Sequence, residues 1–168
     1  MIKQKVSGML AILTKQLKSG KGLQIWCVER VLHGIRTHFT GKEMVESLWQ
    51  CALSLFSSAD SPFTRLALLR ITQRLLPLGI SPTKLSEYLK IVVDQQPYFG
   101  GEWKDEWCVV TAQILASAAG MMIPRRDLAA IESSCSFLLD QVLRADDEVV
   151  SLAIHSIVAF IKYIERGV

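Results

Sequence analysis

The sequence has no C-x-x-C pair, no Gly-x-x-x-x-Gly-Lys run and no Asn-Gly or Asp-Gly turn, and each absence narrows what the chain can be. Its four cysteines, Cys27, Cys51, Cys108 and Cys135, stand far apart, each inside a helical apolar pattern. They read as small core hydrophobes in a reducing compartment, not as disulfide partners or zinc ligands. His33, His38 and His155 supply no metal cluster either, so no metal and no cofactor are expected. Gly100-Gly101 leads into Glu102 and Trp103, and Gly20-Lys21-Gly22 is too short, so neither cradles a phosphate. No nucleophile with a base and no carboxylate pair carries a signature, and the chain is expected not to be an enzyme. Asp146-Asp147-Glu148 is explained by helix capping and the helix dipole.

Long apolar runs are also scarce. Trp107 to Ile123 holds 17 uncharged residues, but a spanning helix needs roughly 20 predominantly apolar ones, and this run includes Thr111, Gln113, Ser117 and Gly120. It is expected to be a helix buried in a domain, with no membrane span. The start, Lys3 and Lys5 before Val6 to Leu13, lacks a cleavage site and continues into Lys15 and Lys18, so no secretory signal is assigned. The expected location is intracellular, cytoplasmic or nuclear.

Acidic residues are nearly missing from the first 42 positions, where Glu29 faces eight Lys/Arg; that segment carries +7 and the remainder −4. Such a basic end is either a solvated face or a surface for an acidic protein, a nucleic acid or an anionic membrane. What the chain does have is hydrophobic residues, 50% of 168, enough for one domain with a real core. The expectation is a single α-helical domain over residues 1–168, whole or cut from a larger scaffold.

The absence of period-two alternation leaves helices alone. Ile2, Val6, Met9, Leu10, Leu13 and Leu17 line one side of a first helix. A second, from Lys21 to Thr37, is expected to bury Leu23, Cys27, Val28, Val31, Leu32 and Ile35, leaving Trp26, Glu29, Arg30, His33 and Arg36 outside. A third runs from Gly41 to Ser57, with Met44, Val45, Leu48, Cys51, Ala52, Leu55 and Phe56 inward. Asp60-Ser61-Pro62 then offers a cap and a first-turn proline for a fourth, apolar on nearly every side and so sandwiched by neighbours. Leu85, Tyr88, Leu89, Val92 and Val93 mark a fifth, and a sixth extends to about Gly120. A seventh, residues 126–144, carries Leu128, Ile131, Cys135, Leu138, Leu139, Val142 and Leu143. The eighth, ending near Arg166, buries Leu152, Ala153, Ile157, Phe160, Ile161 and Ile164.

Comparable helix starts near residues 21, 61, 105 and 147 recur at intervals of 40, 44 and 42. Eight helices, paired from about residues 2, 41, 81 and 124, resemble the HEAT/armadillo class of α-solenoid, in which pairs of roughly 40 to 47 residues stack. The stretch Asp147-Glu148-Val149-Val150-Ser151-Leu152-Ala153 is most similar to a HEAT second helix, without the arginine that often follows the valine. An eight-helix superhelix of the VHS/ENTH type is the architectural alternative. The resemblance implies four antiparallel pairs and a scaffold role, a subunit or segment of a multiprotein complex, with no shared catalytic residues.

Two features interrupt the pattern and are the candidate partner-binding sites. Trp26, Glu29, Arg30 and His33, at i, i+3, i+4 and i+7, share one helix face, and Trp and Arg are enriched at binding hot spots. Tyr98, Phe99 and Trp103 crowd an irregular link where polar residues are usual; they either dock a partner or close a seam between helical pairs. The alternative function is nucleic-acid binding through Lys3, Lys5, Lys15, Lys18 and Lys21. The last helix has a wide apolar arc, with Val149, Val150 and Ile154 beyond its core stripe. That arc implies that a partner, a second copy or further chain covers it.

Overall fold

The structure, a computed structural model, describes residues 2–35, 42–78 and 84–122, together with 132, 135–137, 139, 150, 154, 157, 158, 161 and 162. The described residues are all-α. Among the described residues six α-helices follow one another: α1 (Ile2–Lys18), α2 (Gly22–Ile35), α3 (Lys42–Ser54), α4 (Pro62–Leu75), α5 (Leu85–Val93) and α6 (Lys104–Met122). The expected starts at Ser81 and Pro124, and most of the expected seventh and eighth helices, lie outside the described residues. The chain packs as two compact units, Met1–Ile80 and Ser81–Val168.

In the first unit α1 ends on Gly20, whose φ of +70° is a conformation that glycine adopts without a Cβ penalty and whose N–H donates to the Leu17 carbonyl at 3.0 Å. The three-residue link returns the chain along α1 as α2. The second hairpin, α3 with α4, turns through residues 55–61. Ser61 caps α4 by accepting from the Thr64 N–H at 3.2 Å, and Pro62 occupies the first turn where its missing N–H costs nothing. Arg65 ties the turn from inside. Its guanidinium is buried and donates to the Phe56 carbonyl at 3.0 Å and the Ala59 carbonyl at 2.6 Å, satisfying groups that the end of α3 leaves open.

The two hairpins lie like on like. α1 packs on α3, α2 packs on α4, and each hairpin's own helices touch. Direction follows from paired contacts. Gly22 at the start of α2 lies against Thr64 at the start of α4, where a Cβ would come within 2.8 Å of the Thr64 hydroxyl. Further along, Glu29 meets Arg74. The order is the same on both helices, so α2 and α4 are parallel. Gly20 similarly lies beside Leu55, and Lys18 beside Cys51, which places the C-terminal ends of α1 and α3 together. An up-and-down four-helix bundle would instead set successive helices antiparallel around a ring.

The core of this unit is aliphatic with two aromatics: Leu13, Leu17, Ile25, Val28, Leu32, Val45, Leu48, Trp49, Ala52 and Phe56 are buried around α4. Nine of the fourteen residues of α4 are buried, as expected for a helix enclosed by neighbours. Trp49, absent from the expected inward set, is fully buried, whereas Leu55 and Cys51 are only half-buried.

The second unit packs α5 on α6 through Leu85, Tyr88, Leu89 and Val92; Val93, expected inside, is exposed. α6 buries Trp107, Cys108, Val110, Thr111, Ala112, Ile114, Leu115 and Ala118. Among the described residues no helix is long and apolar enough to cross a membrane. Phe137 packs edge-on against Trp107, ring centres 5.4 Å apart, so it is this side of the expected seventh helix that turns inward while Leu139 is exposed. Ile161, expected in the core, is exposed as well.

Candidate partner-binding surface

The position of α2 decides what the first unit offers to solvent. Its buried stripe is Ile25, Val28, Glu29 and Leu32, spaced i, i+3, i+4 and i+7, and not the Leu23, Cys27 and Val31 set that hydrophobicity alone selects. Leu23 is 72% exposed, Val31 39% and Cys27 is exposed, whereas Glu29 is 2% exposed. The helix is therefore turned about its axis relative to the expectation, and the cause is Arg74 on α4. Its Nη2 and Nε donate to Oε1 of Glu29 at 2.5 and 3.0 Å, so the carboxylate enters the core neutralised and hydrogen-bonded. A carboxylate so held occupies a core position, and the Leu23, Cys27 and Val31 side chains on the far side of the helix are left outside.

The expected cluster is thus divided. Glu29 is inside. Trp26 is half-buried, with the Arg30 guanidinium over its ring at 5.3 Å, a cation–π contact on the surface of the helix. His33 is exposed one turn beyond Arg30. Beside them Leu23, Cys27 and Val31 form a file at i, i+4 and i+8, about 12 Å long at the helical rise. Sequence reading missed this file by assigning it to the core. The signal that could have found it is the regular 25/28/29/32 stripe, complete once Glu29 is admitted with a buried partner.

The aromatic link between α5 and α6 is divided too. Phe99 turns inward and stacks on Trp107 with ring centres 6.2 Å apart and planes at 25°, closing over α6. Tyr98 is 51% exposed and Trp103 half-buried. Gly101, at φ +57°, allows the turn between them.

Lys15 and Lys18 line a cleft of about 410 Å³ between α1 and α3, together with Ala11, Thr14 and Ser47. Lys21 is exposed on the α1–α2 link, and Lys3 and Lys5 belong to the first turns of α1. Comparison with family models, with curated proteins and with solved structures finds no match. The site is therefore read from its own geometry.

All four thiols are free, and Cys27, expected in the core, lies in the exposed file. Burial pushes the Cys51 thiol pKa up, partly opposed by the Lys18 charge, and burial does the same at Cys135. Among the described residues no three His, Cys, Asp or Glu side chains converge as metal ligands would.

Proposed function

We propose that the chain is a non-catalytic, intracellular interaction module that holds another protein on the outer face of α2, as a subunit or segment of a larger complex. The observation that carries this reading is the exposed file Leu23–Cys27–Val31 beside the Trp26–Arg30 pair on a helix whose opposite side is firmly packed. A rigid helix that presents aliphatic groups beside an aromatic–arginine pair has the composition of a binding hot spot. The parallel stacking of two hairpins, with equivalent helices opening at Ile2 and Lys42 and at Gly22 and Pro62, supports a HEAT/armadillo-like solenoid, an architecture whose repeated helices build such faces. In this reading residues 1–168 belong to one domain. Ile154, Val158 and Ile161, exposed at i, i+4 and i+7, offer a further place for self-association or additional chain.

The test compares complexes purified from native cells with wild-type chain and with a Leu23→Ser/Val31→Ser variant. Loss of a stoichiometric partner with an unchanged unfolding midpoint supports the reading, and an unchanged partner set contradicts it.

A second reading, nucleic-acid binding, draws support from the Lys15–Lys18 cleft. It requires oligonucleotide affinity that falls steeply with salt and is lost on Lys15→Glu/Lys18→Glu.

A further inference from the structure

We infer that the segment received by the outer face of α2 is an acidic amphipathic helix; this rests on the partner-binding reading above and adds the chemistry of the partner. Three observations lead there. The first is charge. Glu29 is the sole acid of residues 1–42, and the structure places it inside with Arg74 as its counter-ion. The exposed ionic side chains described on the α1–α2 hairpin are accordingly all cations: Lys15, Lys18, Lys21 and Arg30. Removing one carboxylate from a surface that already has an excess of lysine leaves a field of one sign, which steers and selects a partner of the other sign.

The second is shape. Leu23, Cys27 and Val31 follow one i±4 row, the ridge that packs into the groove of a second helix. The file is single and narrow. Trp26, held under Arg30, borders it with a flat ring, so the surface is a ridge with an aromatic shoulder rather than a broad apolar plate.

The third is what this face opposes. Phosphate backbones are bound by cations, hydroxyls and N–H groups, and a leucine 72% exposed at the head of the file contributes none of these. A bilayer surface takes up a helix by its wide apolar side, whereas the wide apolar side of α2, Ile25, Val28 and Leu32, is already buried. An incoming helix with apolar residues at i, i+3 or i+4, flanked by Asp and Glu, meets the ridge together with Arg30 beside it and Lys21 at the start of the helix.

The experiment is a selection from a displayed library of helical peptides, randomised without charge bias, on the immobilised full chain, run in parallel on the Leu23→Ser/Val31→Ser variant. Equal unfolding midpoints establish that both baits are folded. The inference expects peptides enriched on the wild type alone, net acidic, with apolar residues at helical spacing. Their affinity should drop about tenfold or more on Arg30→Glu, as for loss of a hot-spot cation. Peptides that depend on Leu23 and Val31 but carry no acidic bias would overturn the acidic-helix inference while leaving the face as a partner site. No enrichment dependent on those residues would overturn both. Tighter, Leu23- and Val31-dependent binding of anionic phosphatidylserine vesicles or of duplex DNA would also overturn the inference and reassign the face to that class.

Discussion

Arg74 of α4 reaches across to α2 and places two donors, Nη2 at 2.5 Å and Nε at 3.0 Å, on a single carboxylate oxygen of Glu29. The pair is unequal. The Glu29 side chain is 3% exposed and that of Arg74 15%, so the arginine can recover water if its partner is lost and the glutamate cannot.

Arg74→Met should therefore be the more damaging change, costing about 3 kcal/mol or more by stranding a buried charge. Glu29→Met should cost less, about 1–2 kcal/mol, because the freed guanidinium rehydrates. The double variant should recover most of the loss. Urea unfolding of the four chains in this cycle measures the coupling.

Arg65 supports the other end of α4. Its replacement by Ala leaves the carbonyls of the buried residues Phe56 and Ala59 without their charged donor, an expected loss of about 3 kcal/mol. Arg65→Lys keeps the charge but not the fork, and should retain about half of the stabilisation. Thermal unfolding of both variants checks this.

Ser61→Ala removes the cap on α4 and should cost about 1 kcal/mol, while Ser61→Asp, which also accepts from the Thr64 N–H, should be near neutral. Chemical denaturation resolves a difference of that size.

The thiols should differ in their response to pH. Burial raises the pKa of Cys51 and Cys135, so the folded state holds those protons. The resulting stability is present below the unfolded-state thiol pKa and is lost as pH rises through the higher folded value. Alkylation of Cys51 and Cys135 should begin only at more alkaline pH than in the urea-unfolded chain. Cys108, buried in α6, should react only on unfolding.

Much of the helical framework was legible in the sequence because local chemistry determines it. Gly20 stops α1, Ser61 and Pro62 open α4, and the nearly uniform apolar run of α4 indicates enclosure. The orientation of α2 was not legible, because it depends on a residue 45 positions away: without Arg74 nothing in the sequence around Glu29 directs a carboxylate inward. The aromatic link failed in the same way. Phe99 and Tyr98 are adjacent and similar, and only the position of Trp107 determines which of them is covered. Tertiary partners thus decided which side chains are exposed, while propensity and capping decided the helices.

The central claim is that α2 turns Leu23, Cys27 and Val31 outward as a partner surface, and Cys27 is a built-in probe of it. The most direct measurement is the alkylation rate of Cys27, read by peptide mass, in the free chain and in the partner complex from native cells, with Cys108 as the buried reference. The account predicts a rate close to that of an unfolded thiol in the free chain, and strong protection in the complex. A Cys27 as unreactive as Cys108 in the free chain, or equally reactive in both states, would contradict it.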